Sequence, residues 1–205
     1  ENYRKFTLLF RHAYREFTKI CAQSSESFQN FLSYGVYKTR LSLSNNMKFD
    51  LVADEKDAQL GQKILTNYGL NEKRILVAAS THDPEEKMIL KTYSSLKQEH
   101  ANLVLVIVPR HPHRFDDVYQ LIKATGLNTV RMSESDSISN TNSQDNEIDC
   151  LLVDAMGCLK ACYSICDTAF VGGSFAPKGG HNALEAALYS KPITMGPSIF
   201  NNPSI

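Results

Sequence analysis

Residues 102–109, NLVLVIVP, form the most apolar strand-length run of this chain. A continuous apolar run of this length is typical of a strand buried on both faces of a parallel sheet. The strand-like run RILVAAS (74–80) precedes it, and the helix-like segment HRFDDVYQLIKATG (113–126) follows it. Strands that alternate with helices predict right-handed crossovers and an α/β fold with a doubly wound parallel sheet.

The same alternation extends to both ends of the chain. Helices are predicted over 3–18, 24–35, 54–68, 83–100, 113–126, 157–166 and 180–191, and strands over 19–24, 36–44, 74–80, 102–109, 128–133, 149–154, 167–173 and 192–197. Ser residues before the second helix and glycines after several helices are the expected capping signals. The polar segment 133–146 has no apolar period and is predicted to be a flexible surface loop without chemistry.

Composition excludes several functional classes. Lys and Arg together number 22, as do Asp and Glu, so no overall positive charge indicates a nucleic-acid partner. No apolar run is long enough to span a bilayer, and no signal peptide opens the chain. The five cysteines show no C-x-x-C pair or zinc-ligand spacing, which favours buried free thiols in a reducing compartment.

Residues 170–197, FVGGSFAPKGGHNALEAALYSKPITMGP, contain half of the chain's glycines. Glycines allow close approach of a backbone to a ligand, and a helix start offers unpaired N–H groups to an anion. A helix starting near Gly180 would therefore place an anion beside the loop. Glu185 would then lie one turn into the helix, where its carboxylate can accept hydrogen bonds from sugar hydroxyls.

The segment PRHPHRF (109–115) is the second informative loop. Arg110 follows the most apolar strand and can make a forked contact with a phosphate or carboxylate. His113 and Arg114 are interpreted as solvating the next helix start. Ligands of parallel sheets bind beyond the carboxyl ends of the strands, so Arg110 and the glycine-rich loop together predict a nucleotide or sugar-nucleotide site. Neither G-x-x-x-x-G-K-[ST] nor an early G-x-G-x-x-G is present, which disfavours ATPases and dinucleotide enzymes.

Several motifs in order resemble the Kdo transferases (3-deoxy-D-manno-octulosonic acid transferases). They are AQSSESFQNFLSYG, NNMKFD, STHDPEE, VPRHPHRF, DAMGCL, DTAFVGGSFAPKGGHNALEAA and KPITMGPSIFN. The resemblance implies a GT-B glycosyltransferase, with two Rossmann-like domains, on the cytoplasmic face of the bacterial inner membrane. It implies inverting transfer of Kdo from CMP-Kdo to a lipid A precursor, without a cofactor or metal ion.

The resemblance also assigns residues. It implies that Lys48 stabilises the transition state, because departing CMP gains negative charge. It implies donor (CMP) binding by Pro109, Arg110, Met156, Gly157, Cys158, Asn182, Ala183, Leu184 and Glu185. Cys158 stands where the family usually has Glu, so a backbone contact is expected there instead of a side-chain contact.

The domains expected from the resemblance are 1–45, the end of an acceptor-side domain, and 46–205, a donor-binding domain truncated at its carboxyl end. The chain starts without Met and stops soon after a predicted strand, so we expect part of a longer protein. The catalytic base, a Glu of the amino-terminal domain in this family, has no matching segment here. The alternative is the nucleotide-sugar binding module of another GT-B transferase or of a sugar-nucleotide epimerase, inactive as an isolated fragment.

A membrane contact is a further hypothesis. Basic residues alternate with large apolar ones in the predicted first helix, which can bind anionic lipid or the acylated acceptor. The bases are Arg4, Lys5, Arg11, Arg15 and Lys19. The competing interpretation is a solvated helix that packs on its own domain.

Overall fold

A computed structural model of the chain describes residues 7–44, 46, 49–134 and 147–201. The chain forms two compact units, residues 1–51 and 52–205. The division thus falls six residues after the boundary expected from the sequence.

The first unit contains two short helices and two short parallel strands. They are α1 (Thr7–Glu16), β1 (Ile20–Ala22), α2 (Ser25–Ser33) and β2 (Leu41–Leu43). Ser24 caps α2 by accepting the Ser27 N–H at 3.1 Å, and Gly35 follows the helix with φ +81°. Both capping signals predicted from the sequence are therefore confirmed. A one-turn 3-10 helix, Lys38–Arg40, precedes β2, so the strand predicted over 36–44 was too long.

The second unit is built on a six-stranded parallel sheet of order β5-β6-β4-β3-β7-β8. Its strands are β3 (Arg74–Thr81), β4 (Leu103–Pro109), β5 (Thr129–Arg131), β6 (Cys150–Leu152), β7 (Thr168–Val171) and β8 (Ile193–Met195). Its helices are α3 (Glu55–Asn67), α4 (Glu85–Glu99), α5 (Phe115–Lys123), α6 (Leu159–Ile165) and α7 (Leu184–Ala187). The predicted doubly wound, Rossmann-like sheet is confirmed.

Strand β4 lies between two apolar cores, one on each face of the sheet. Val104 and Val106 pack with α3, α6 and α7, whereas Leu105 and Ile107 pack with α4 and α5. Successive side chains of a strand point to opposite faces, which explains why all seven residues of β4 are buried. The apolar run 102–109 is thus shared between both cores.

The cysteines are free thiols, as predicted, but only three of them are buried. Cys150, Cys162 and Cys166 lie in the core, whereas Cys158 is half-buried and Cys21 is exposed. Burial raises the pKa of the Cys166 thiol to about 11. The buried thiols therefore remain protonated and act as small apolar side chains.

Candidate functional site

The loops predicted to bind a ligand follow four adjacent strands. Strands β6, β4, β3 and β7 are neighbours in the sheet and all run parallel. Their carboxyl ends lead into residues 153–158, 110–114, 82–86 and 172–183 respectively. All of the predicted donor-binding segments consequently emerge at one edge of the sheet, where parallel α/β sheets bind their ligands.

The first half of the glycine-rich loop, residues 172–175, surrounds a carboxylate of the protein itself, that of Glu85. Glu85, which is fully buried, accepts the N–H groups of Gly173 (2.8 Å) and His82 (3.0 Å) on Oε2. Its Oε1 accepts those of Ser174 (3.0 Å) and Phe175 (2.9 Å). The expectation of a negative charge at this loop is thus met by an internal carboxylate.

Two glycines make this close packing possible. A Cβ on Gly172 would lie 2.5 Å from the Ser80 carbonyl oxygen and 2.8 Å from Glu85 Oε2. Gly173 has φ +72°, and a Cβ there would meet the His181 ring at 2.9 Å. Because both positions lack a side chain, the Ser80 backbone, the Glu85 carboxylate and the His181 ring can pack against the loop.

The second half of the loop differs from its prediction. Helix α7 begins at Leu184, not near Gly180. Gly180 has φ +71°, which is outside the helical region, and the Gly180 and His181 N–H groups donate to the Gly173 and Gly172 carbonyls (2.8 and 3.0 Å). Glu185 is consequently in the first turn of α7 and not one turn into it. The helix is also only four residues long, much shorter than predicted.

The predicted donor-binding residues of this segment have different surroundings. Asn182 Oδ1 accepts the Leu184 N–H at 3.2 Å, which fixes the turn before α7. Ala183 is buried in the core, so only its backbone can reach a ligand. Glu185 is half-buried, and its charge adds to burial in raising the pKa of Tyr163 on α6. Glu185 therefore lies near Tyr163 of α6, the helix that follows Met156, Gly157 and Cys158.

Arg110 lies where the sequence predicts, directly beyond β4. Its backbone N–H donates to the Thr81 carbonyl at 3.1 Å, which ties the ends of β4 and β3 together. Its side chain is exposed, whereas Pro109 before it is buried within the strand. The neighbouring Thr81 hydroxyl is buried without a hydrogen-bond partner in the described part of the chain.

Arg114 forms an internal ion pair with Glu86. Its guanidinium donates to both oxygens of the buried Glu86, at 2.6 and 3.3 Å. It therefore holds α4 to the chain before α5, and it does not simply solvate a helix start. Sequence reasoning missed the roles of Glu85 and Glu86, although both stand at the start of a helix after a predicted strand, where acids are common for another reason.

Histidines line the space between these loops. His82 and His181 stack with their Nε2 atoms 2.7 Å apart, and the His111 ring lies 5.3 Å from that of His82. Burial, followed by the nearby charges of His82 and Arg110, lowers the pKa of His181 to about 4. Burial also lowers the pKa values of His82 and His111. These rings are therefore neutral near pH 7 and sit beside permanent cations.

The loop beyond β6 is held by a separate ionic network. Asp154 accepts Arg131 Nε at 2.7 Å and the Ser133 N–H and hydroxyl at 2.8 and 2.6 Å. Hydrogen bonds from Ser133 and Arg131 keep the Asp154 pKa below its usual value despite burial. Met156 and Gly157 follow this anchor and are exposed, and Gly157 has φ +86°. Their backbone is thus presented to solvent at a fixed point.

Other residues predicted to be functional lie away from this edge of the sheet or outside the described part of the chain. Lys48 lies outside the described residues, as do Arg4 and Lys5 of the opening helix. In α1, Arg15 donates to the Gly35 carbonyl at 3.2 Å, and Tyr14 packs against Phe31 and Tyr34 of α2 and its cap. This part of the helix therefore packs on its own unit, as the competing interpretation holds.

Two features are absent from the described ranges. No helix among residues 7–44, 46, 49–134 and 147–201 is long and apolar enough to cross a membrane. Over the same residues, no group of three or more His, Cys, Asp or Glu side chains is arranged to hold a metal ion.

Known proteins resemble both units of the chain. Residues 1–51 match the family model described as 3-deoxy-D-manno-octulosonic-acid transferase (kdotransferase). The 3-deoxy-D-manno-octulosonic acid transferase of Haemophilus influenzae is 35% identical over 99% of the chain, and that of Rickettsia prowazekii is 33% identical over 96%. The chain spans 46% and 40% of the lengths of these two relatives.

A solved structure also resembles the chain. It is the C-terminal CMP-Kdo binding domain of WaaA from Acinetobacter baumannii, which is 32% identical with a TM-score of 0.65. The match covers 74% of this chain and 76% of that domain. Sequence similarity along the chain and structural similarity of the sheet agree with each other, and the chain therefore belongs to the family of 3-deoxy-D-manno-octulosonic acid transferases.

Proposed function

We propose that the protein carrying this chain transfers Kdo from CMP-Kdo to a lipid A precursor, and that residues 52–201 contribute the donor site. One observation carries the proposal: the segments implied in CMP binding follow β6, β4 and β7 of one parallel sheet and share its carboxyl edge. The CMP-Kdo binding named for the Acinetobacter domain supports the choice of donor.

Most of the predicted donor-binding residues have surroundings that allow a role in binding CMP. The exposed Arg110 guanidinium binds the phosphate, and the exposed Met156–Gly157 backbone reads the cytosine edge. The half-buried Glu185 accepts hydrogen bonds from the ribose hydroxyls, while the Asn182, Ala183 and Leu184 turn supports it. Cys158, whose Sγ lies 3.9 Å from the Met156 carbonyl oxygen, contributes through its backbone.

The chemistry of transfer places further demands on the protein. Breaking the bond between Kdo and the phosphate leaves an additional negative charge on CMP, which cations stabilise. Lys48, Arg110 and Lys178 are the cations that we assign to this task. We further propose that the reaction inverts the anomeric centre without a metal ion or cofactor, and that the protein works at the cytoplasmic face of the inner membrane beside anionic lipid.

An assay of the full-length gene product with CMP-Kdo and a lipid A precursor tests the proposal. We expect CMP release and a Kdo-bearing lipid, with an inverted anomeric configuration by NMR and unchanged rates in chelator. A displacement series with CMP, UMP and UDP should rank CMP first. Preference for a uracil nucleotide would instead favour another GT-B transferase or an epimerase.

A further inference from the structure

The imidazoles of His82 and His181 form a pair that the proposed function has not used. Their Nε2 atoms are 2.7 Å apart, and their rings are inclined by only 16°. At this distance one nitrogen donates its hydrogen and the other accepts it. The pair can therefore hold one additional proton, but not two, because two would direct N–H groups at each other.

Both histidines are fixed by their backbones. The His82 N–H donates to Glu85 Oε2 at 3.0 Å, and the His181 N–H donates to the Gly172 carbonyl at 3.0 Å. The His181 ring lies against Gly173, where no side chain larger than hydrogen fits. The pair is consequently positioned in advance of any ligand.

The charges around the pair favour an anion. His181 faces Arg110, Glu85 and His111, and His82 faces Glu85, His111, Glu86 and Lys178. Both carboxylates are already satisfied, Glu85 by four backbone N–H groups and Glu86 by Arg114. The side chains of Arg110 and Lys178 make no hydrogen bond or ion pair within the described ranges, so the unmatched charge beside the pair is positive.

We propose that the His82–His181 pair contacts the phosphate of bound CMP, and that it takes up one proton from solvent when this phosphate arrives. The inference rests on the proposed donor site. Burial and the neighbouring cations keep both rings neutral when no anion is bound. A phosphate dianion reverses the local potential and favours the protonated pair, whose outward N–H groups then donate to phosphate oxygens. The proton returns to solvent when CMP leaves.

The test compares His181→Gln with the unaltered full-length gene product. Glutamine keeps a neutral hydrogen-bonding group but cannot take up the proton. We expect His181→Gln to weaken CMP binding about tenfold near pH 6, the size of a hydrogen bond to a charged group. The loss should shrink towards pH 8, and cytidine, which has no phosphate, should bind both proteins equally. The ratio of the two CMP affinities cancels the titration of CMP itself.

His100→Gln is the matched control, because His100 is exposed at the opposite end of the sheet, between α4 and β4. It should leave both affinities unchanged at every pH. Equal losses of CMP and cytidine binding, or a CMP loss that does not vary with pH, would overturn the inference and leave the donor site standing. Absence of CMP binding by the unaltered protein would overturn the proposed function together with the inference.

Discussion

Two anion-attracting regions lie side by side at the carboxyl edge of the sheet. In one, the N–H groups of Gly173, Ser174 and Phe175 surround the carboxylate of Glu85, which is fully buried. In the other, the exposed side chains of Arg110 and Lys178 face a histidine cluster. The first region is built from backbone donors and an internal anion, and the second from side-chain cations at the surface.

The two regions separate the residues that stabilise the site from those that act on a ligand. Hydrogen bonds between a buried carboxylate and backbone N–H groups fix a loop at low cost in side-chain entropy, and they contribute to folding. Exposed cations contribute little to stability, but they bind an arriving phosphate. Substitutions in the two regions should therefore have separable effects on the free energy of unfolding and on ligand affinity.

The largest effect should follow from Glu85→Gln. The amide retains one acceptor oxygen but turns its NH₂ group towards backbone donors, so at least two hydrogen bonds to charge are lost. At about 1.5–3 kcal/mol each, the free energy of unfolding should fall by about 3 kcal/mol or more. Urea denaturation measures it. Glu99→Gln, at the exposed far end of α4, is the control and should change little. A wild-type midpoint for Glu85→Gln would contradict the structural role of this carboxylate.

The two arginines within PRHPHR (109–114) should separate stability from binding. Arg114→Gln leaves the buried Glu86 unpaired, and we expect a loss of about 2–3 kcal/mol in unfolding free energy with CMP affinity per folded molecule nearly unchanged. Arg110→Gln should show the reverse, with normal stability and CMP binding weakened by about 1.5–3 kcal/mol. Thermal denaturation and calorimetric titration of both variants test the contrast. The same pattern in both variants would remove the distinction between the two regions.

Glu185→Ala tests the sugar side of the site. If the carboxylate holds ribose hydroxyls, CMP binding should weaken by about 1.5–3 kcal/mol, whereas 2′,3′-dideoxy-CMP, which lacks these hydroxyls, should lose little. If Glu185 only complements the dipole of α7, the effect is about 0.3–1 kcal/mol and equal for both ligands. Titration of both ligands against both proteins decides between these roles.

The smallest effect concerns pH. The pKa of His181 is lowered from 6.5 to about 4 in the folded chain, so the unfolded chain binds more protons between these values. Stability should therefore decrease as pH falls from about 6.5 to about 4, by about 1–2 kcal/mol after allowance for the partial exposure of the ring. His181→Gln should flatten this part of a stability curve measured by denaturation. An unchanged slope would assign the dependence to other groups.

The sequence predicts the sheet well because its strands are strong local signals. Residues 103–109 are apolar throughout, and the neighbouring strands are bounded by glycine and polar segments. Helix α7 was predicted too early and too long, since its local pattern continues back to Gly180. Tertiary hydrogen bonds from Gly180 and His181 to the first glycine pair override that pattern.

Within the site, the sequence predicts the position of Arg110 but not the partner of the glycine-rich loop. Glu85 and Gly173 are separated by 88 residues, and no local pattern reports a contact over that distance. An acid at the first position of a helix is commonly explained by the helix dipole. That explanation gives no reason to expect that the Glu85 carboxylate is buried and accepts hydrogen bonds from the backbone of a distant loop. The short distance between His82 and His181 likewise arises because β3 pairs with β7 in the sheet.

The position of β4 between two cores has a consequence for hydrogen exchange. Opening either core alone leaves half of the β4 side chains packed, and its ladder partners β3 and β6 remain on both sides. Its amide hydrogens can reach solvent only when both faces open together. They should therefore be among the last in the chain to exchange for deuterium, and their rate should report the free energy of complete unfolding of the sheet.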